Sequence, residues 1–255
     1  MGEIQVSVII PAYHCAGTIE TAIDSALAQN VELEVIVVND NSGDDLDRVM
    51  DRFAGDLRVI YVKNRHNIGA AQSRNRAVEM ARGEYVAFLD ADDCWMPDKL
   101  RKQLAVMERT GAVLCCTARE LMKPDGTLTG HMIPVKERIT YKDLLKSNSI
   151  SCSSVLMKTE VAGAFPMHHE DSHEDYIMWL EILGTYGFAA GINEPLLKYR
   201  LSDTGKSGNK WKSARMTFKA YRYMGFGIVK SCACFLSYAV HGVLKYTVKH
   251  KFRNQ

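Results

Sequence analysis

Apolar and polar residues alternate at the start of the chain, through Ile4, Val6 and Val8, and then merge into Ile9-Ile10-Pro11. Alternation with period two that closes on a continuous apolar run predicts a strand over residues 5–10. Over residues 18–29 the spacing changes to three and four. Ile19, Ala22, Ile23, Ala26 and Leu27 fall on one helix face, with Thr18 placed as the N-cap. The two patterns go on trading places: strand 34–38 closing on the turn Asn39-Asp40-Asn41-Ser42-Gly43, helix 46–53, strand 58–62, helix 70–81, strand 85–89, helix 99–109 and strand 112–116. This β-α-β-α order predicts a mostly parallel sheet with helices on both faces.

The second half is less regular. Residues 122–128 read as a hairpin turning at Pro124-Asp125-Gly126. A short helix is predicted over 141–146, a strand over 153–157 and an extended segment over 195–199. Residues 175–186 form an amphipathic helix with Ile177, Leu180, Ile182 and Leu183 turned to the core. Residues 226–246 are apolar except for Lys230 and His241, and the stretch from Ser231 to Leu244 is short of the roughly 20 apolar residues a membrane span needs. Lys219, Arg222, Lys245, Lys249, Lys251 and Arg253 flank it. A helix lying in the membrane interface is predicted ahead of one that spans it, with packing on the protein's own core or on a homodimer partner as the alternatives.

Composition adds bounds. The 255 residues suit one large domain or one and a half, and 47% hydrophobic with 24% charged residues is ordinary for a globular chain. The alternation at the start is that of a first strand, so no signal peptide is expected there. Seven cysteines, at 15, 94, 115, 116, 152, 232 and 234, form no zinc-type CxxC pair. They read as buried, reduced thiols of a cytoplasmic protein, with no disulfide and no zinc. The net charge of +2 hides a split: from Lys198 onward there are 13 Lys/Arg against the single acid Asp203, which leaves the body near −10. A tail so basic points to an anionic partner, which is phosphate, nucleic acid or an anionic membrane surface.

The chemistry concentrates in Phe88-Leu89-Asp90-Ala91-Asp92-Asp93. A buried strand delivers three carboxylates to its C-terminal end, where open α/β sheets bind ligands. Carboxylates this close raise one another's pKa, and a divalent cation relieves the repulsion. Oxygen-only ligands favour Mg²⁺ or Mn²⁺. By itself the cluster reads first as a solvated acidic loop capping the helix that follows, and only its company favours a metal. Pro11-Ala12-Tyr13 and Asp40 end the first two strands at the same edge, an aromatic and a carboxylate suited to a nucleoside. Gly69, Ala70 and Ala71 allow a close approach to the sheet or ligand, with Arg74 one turn further on.

Val8-Ile9-Ile10-Pro11-Ala12-Tyr13, Val37-Val38-Asn39-Asp40-Asn41-Ser42, Asn67-Ile68-Gly69 with Arg74-Asn75, and Phe88-Leu89-Asp90-Ala91-Asp92-Asp93 together resemble glycosyltransferase family 2. The resemblance covers about residues 4–210. It implies the GT-A fold: a Rossmann-like α/β architecture with a mostly parallel central sheet flanked by helices. A nucleotide-sugar half lies at about 1–117, an acceptor half at about 118–210, and a basic, apolar helical tail at 211–255. It implies a UDP-sugar donor, with Asp40 reading the uracil, Pro11 and Tyr13 beside it, Asp90 at the ribose and Asp92 as ligand of Mn²⁺ or Mg²⁺ in an Asp-x-Asp motif. Asp93 is placed to support the metal through water or to face the acceptor. The pair Glu174-Asp175 opens a helix, and in this resemblance Asp175 is the general base of an inverting transfer; the pair also suits a helix N-terminus on charge alone. His168, His169 and His173 read as an acceptor rim. Tyr199-Arg200-Leu201-Ser202 with Lys206 and Lys210 resembles a segment that folds over the diphosphate. Ser202 stands where many relatives have His, while Arg200, Lys206 and Lys210 remain phosphate partners by charge. The acceptor implied is a saccharide or lipid-linked saccharide for a cell-surface polysaccharide, handled peripherally at the inner face of the cell membrane, with no nucleic acid as partner.

Two other classes compete. A sugar-phosphate nucleotidyltransferase would carry a Gly-rich phosphate loop after the first strand, where this chain has Pro11-Ala12-Tyr13-His14-Cys15, and a nicotinamide-dependent oxidoreductase would need GxGxxG there. A non-enzymatic membrane- or nucleic-acid-binding module explains the tail and leaves the carboxylates without a role.

Overall fold

The computed structural model describes residues 3–201 and 210–251. Strand β1 (Val6–Ala12) leads through α1 (Ile19–Leu27) to β2 (Leu33–Asn39), then α2 (Leu46–Met50), β3 (Val59–Lys63), α3 (Ala70–Met80) and β4 (Tyr85–Phe88). These four strands lie side by side in the order β3-β2-β1-β4, all parallel. Ile9 is level with both Ile36 and Phe88, so the three strands end together at one edge. Order reverses between β1 and β4, and that crevice is where doubly wound sheets hold ligands. Alternation along β1 explains both faces. Val6, Val8 and Ile10 pack with α1 and α2 residues such as Ile23 and Leu46, while Ile9 joins Phe88 and Trp179 on the other side.

Two-residue β5 (Cys94–Trp95), α4 (Lys99–Thr110), β6 (Leu114–Met122), β7 (Leu128–Ile133), β8 (Arg138–Thr140), α5 (Tyr141–Lys146), β9 (Leu156–Lys158), α6 (Thr159–Ala164), α7 (Glu174–Tyr186) and β10 (Phe188–Arg200) follow. Antiparallel β9 inserts between β4 and β6, and β10 runs parallel to β6 before pairing antiparallel with β5. The sheet is therefore parallel in the first half and mixed in the second. The expected strand over 153–157 begins as a 3₁₀ turn, Cys152–Ser154, and the extended segment over 195–199 is the end of a longer strand shifted in register between Ile192 and Leu197. Thr18 does precede α1, but its hydroxyl donates to the Cys15 carbonyl and caps nothing. α5 is closed by a capping box, Thr140 and Asp143 satisfying each other's backbone N–H.

Helices α8 (Lys210–Tyr223) and α9 (Ile228–Lys251) finish the fold, α9 packing on α5 and α8. Among the described residues, no helix is long and apolar enough to cross a membrane. Five cysteines are buried as expected, but Cys232 is exposed and Cys234 half-buried on α9.

Candidate active site

The parallel strands end on a cavity of about 1030 Å³. Tyr13, directly after β1, stands 50% exposed at its wall. The turn that follows is held by the loop after β2: His14 N–H donates to Ser42 Oγ and Ala16 N–H to Asp44 Oδ2, both at 2.8 Å.

Asp40 is almost fully buried at the end of β2. Its Oδ1 accepts from Asn64 Nδ2 and the Ile68 N–H, and its Oδ2 from the Gly69 N–H, all at 2.8 Å. It thus ties the Asn67-Ile68-Gly69 turn to the sheet and keeps acceptor capacity on Oδ2 toward the cavity. Gly69 has φ +87°, and a Cβ there would sit 1.9 Å from Glu170 Oε2. Glu170 Oε1 accepts the Ala71 N–H at 3.0 Å, so a second carboxylate stabilises the N-terminus of α3.

The acidic loop divides its labour. The Asp90 N–H donates to Ser153 Oγ at 3.1 Å, and its carboxylate accepts from Arg74 Nη2 at 2.6 Å. Asp92 faces the cavity, and burial together with the Asp90 charge pushes its carboxyl up. Asp93 turns inward, against the expectation that it faces metal or acceptor. Its Oδ1 accepts the Arg200 N–H at 2.8 Å, and burial with Asp90 and Asp92 beside it raises its carboxyl well above the usual range. The short β5–β10 pairing makes this contact, because it lays Lys198 against Cys94 and carries Arg200 to the loop.

Arg200 and Arg74 are both committed to protein groups. Arg200 donates from Nε to the Asp92 carbonyl and from Nη1 to the Pro124 carbonyl, each at 2.7 Å, while still lining the cavity. Arg74 is buried; besides Asp90 it reaches Glu174 Oε1 at 3.5 Å. Arg74 is therefore a bridge joining the acidic loop to the start of α7. Glu174 and Asp175 both border the cavity, and Glu174, 6% exposed, spends a carboxylate oxygen on Arg74. Burial and the adjacent Glu174 raise the Asp175 carboxyl, opposed by His173 and Arg74. His173 also lines the cavity, its Nε2 3.3 Å from the Ser213 carbonyl of α8. Lys206 lies outside the described residues, and Lys210 opens α8 with its side chain outside them too.

Several site residues carry no local signal. Arg119 lies over the Tyr199 ring at 5.3 Å, both on the cavity wall. Asn75 holds Met167 at both backbone groups, donating to its carbonyl at 2.8 Å and accepting its N–H at 2.9 Å. The Thr-x-x-Asp signature at α5 could have been found; the partners of Glu170 and Asn75 lie over 90 residues away and could not.

Asp90 and Asp92 fit an oxygen-ligated divalent cation that keeps substrate phosphates as further ligands: two carboxylates on one loop, the second of them raised by the first. Among the described residues, no group of three or more His, Cys, Asp or Glu forms a full protein cage.

Carboxylates thus stand at the switch point of a doubly wound sheet, with a second acidic pair across one cavity. The fold is shared with TarS of S. aureus, residues 1–349, solved with UDP-GlcNAc (TM-score 0.72, 16% identity, 93% of this chain and 72% of that one). It is shared also with the mannosyltransferase PcManGT of Pyrobaculum calidifontis, solved with GDP-Man and Mn²⁺ (TM-score 0.66, 17% identity, 97% and 76%). The chain belongs to glycosyltransferase family 2, whose family model, Glycosyl transferase family 2, matches residues 7–162. TuaG of Bacillus subtilis strain 168, named for teichuronic acid biosynthesis, is 38% identical over 243 residues, 94% of this chain and 96% of that one. WfaP of Escherichia coli, named as a UDP-Glc:alpha-D-GlcNAc-diphosphoundecaprenol beta-1,3-glucosyltransferase, is 32% identical over 247 residues, 96% and 97%.

Proposed function

We propose that this glycosyltransferase moves a hexose from a UDP-sugar to a lipid-linked saccharide, with inversion, in the synthesis of a bacterial cell-surface polysaccharide. The observation that carries the reading is that Tyr13, Asp40, Asp90, Asp92 and Asp175 all border one cavity, with Arg74 clamping the two acidic segments together. The lipid-linked acceptor and the UDP donor rest on the activity for which WfaP is named, and work at the inner face of the membrane follows from such an acceptor and the basic tail.

In this reading Tyr13 stacks on the base, Asp40 Oδ2 accepts from its N–H, and Pro11 shapes the turn between them. Asp90 receives a ribose hydroxyl. Asp92, with Asp90 behind it, would hold Mn²⁺ or Mg²⁺, which when bound neutralises the charge that gathers on the departing diphosphate. Arg200 adds positive charge at the cavity wall, and Lys206 and Lys210 are assigned to the diphosphate by charge alone. Asp175 accepts the proton of the acceptor hydroxyl. That oxygen bonds to the anomeric carbon from the face opposite UDP, and the bond from carbon to phosphate oxygen breaks. Glu174 acts through Arg74 and through the raised Asp175, as a positioning residue.

Nucleotide release screened across UDP- and GDP-sugars with Mn²⁺ tests the donor. Asp175→Asn, nearly isosteric but unable to take a proton, is expected to keep UDP affinity and lose turnover by about 10² or more. Loss confined to UDP affinity would reject Asp175 as the base.

A further inference from the structure

Helix α9 has two unlike faces. Ser231, Cys234, Phe235 and Tyr238 recur at helical spacing and turn inward. Phe235 meets Phe218 of α8 edge-on at 6.1 Å, and Tyr238 lies 6.4 Å from Tyr176 of α7 while also lining the catalytic cavity. On the opposite side Val229, Cys232, Ala233, Leu236 and Val240 form one exposed stripe at the same spacing. Val229 is 84% and Leu236 67% exposed, with Ile228 beside them at 67%. Lys230 lies off the stripe, its ammonium 3.7 Å from the Phe226 ring centroid. Between residues 210 and 251 the chain has nine Lys/Arg and no Asp or Glu.

We infer that this stripe docks α9 flat on an anionic lipid bilayer, so that α9 separates the lipid surface from the catalytic cavity. The inference rests on the reading above that the acceptor is lipid-linked. An apolar stripe on a basic helix too short in apolar length to span is the pattern of an interfacial helix. Charge chooses between lipid and a second copy of the chain: pairing two such faces would oppose two segments of like sign, whereas anionic headgroups supply the missing charge. The arrangement also sets a distance. A helix with its side chains is about 10–12 Å thick, so Leu236 against the lipid leaves Tyr238 and the cavity about one helix diameter above it. An acceptor whose reacting sugar lies close to its lipid anchor can then reach Asp175, and a long glycan spacer is not needed.

The test uses the full chain, Val229→Glu/Leu236→Glu and the milder Leu236→Ser. Co-sedimentation is measured with phosphatidylglycerol/phosphatidylcholine vesicles and with phosphatidylcholine alone, and the mass in solution by light scattering. The native chain is expected to sediment with the anionic vesicles and to be released by high salt. The double variant should bind at least tenfold less, Leu236→Ser should fall between, and both should keep native UDP affinity. Unchanged vesicle binding in the double variant would overturn the inference. So would a native dimer that the variants dissociate, which gives the face to a second copy. Absence of nucleotide release with every donor would instead count against the proposed reaction, and the vesicle result would stand apart from it.

Discussion

Lys99, at the start of α4, is fully buried, its ammonium donating to Gln103 Oε1 at 2.7 Å and lying 4.0 Å from the centroid of the Trp95 ring. Neither partner carries a negative charge, and burial pushes the lysine from 10.5 down to about 7. Each pKa unit is about 1.4 kcal/mol, so keeping this proton in the fold costs about 5 kcal/mol. The cost is fully present below pH 7, where both states hold the proton. It declines between pH 7 and 10.5, where the unfolded chain binds more protons than the native one, and it is gone above that range. Lys99→Met keeps the length of the side chain and removes the charge. Gln103 then lacks its donor, which offsets part of the gain by about 1–3 kcal/mol, so the sharper quantity is how the stability difference varies with pH. Urea unfolding followed by circular dichroism at pH 6, 7, 8 and 9 should show the variant's advantage shrinking by about 2 kcal/mol from pH 7 to pH 9. Cys15, pushed up to about 12 by burial, acts in the opposite direction at high pH but equally in both proteins; Cys115, also pushed up to about 12, feels the Lys99 charge, and ending the series at pH 9 keeps its thiol protonated in the fold. A pH-independent difference would refute the reasoning.

Asp92→Ala is expected to remove metal-dependent turnover and leave the melting temperature nearly unchanged, and EDTA should do the same to the native enzyme; full activity in either case counts against the metal reading. Because burial and Glu174 raise Asp175, the acid limb of the kcat profile should lie above the ordinary aspartate range, and the rate should fall as pH drops through that raised value. Arg74→Met leaves Asp90 and Glu174 without their shared cation and should cost about 3–5 kcal/mol in urea unfolding. Gly69→Ala imposes a positive φ on alanine and drives its Cβ into Glu170; a loss of about 1–3 kcal/mol is expected, of which Glu170→Ala in the same chain should restore only the collision part.

What could be read from the chain is what short-range physics writes into it. Ile9-Ile10-Pro11, Val37-Val38-Asn39-Asp40 and Phe88-Leu89-Asp90 each run from buried strand into a turn within a few residues, so the three strand ends and the carboxylates on two of them were legible, as were Ile177, Leu180, Ile182 and Leu183 of α7, but not the equally buried Tyr176, Met178 and Trp179. What was not legible depends on partners distant in sequence. Arg74 is an ordinary helical arginine until Glu174, a hundred positions on, folds against it. Asp93 looks like its neighbours until β10 brings the Arg200 N–H to it. Nothing near β9 announces that it enters antiparallel between β4 and β6. The tail was legible in charge and apolar spacing, but which face of α9 points outward depends on Phe218 and Tyr176.

The amide of Asn75 grips Met167 as one strand grips another, and Glu170 reaches back to the first turn of α3. These grips make the loop ahead of Asp175 a dependency of the first half of the chain. An engineer seeking a new linkage by grafting the second half of a relative would therefore be moving one side of a matched lock. The graft would need residues 67–75 to travel with residues 165–175, and a boundary drawn at the middle of the chain, though it cuts no strand pair between β1 and β4, would separate the key from its wards.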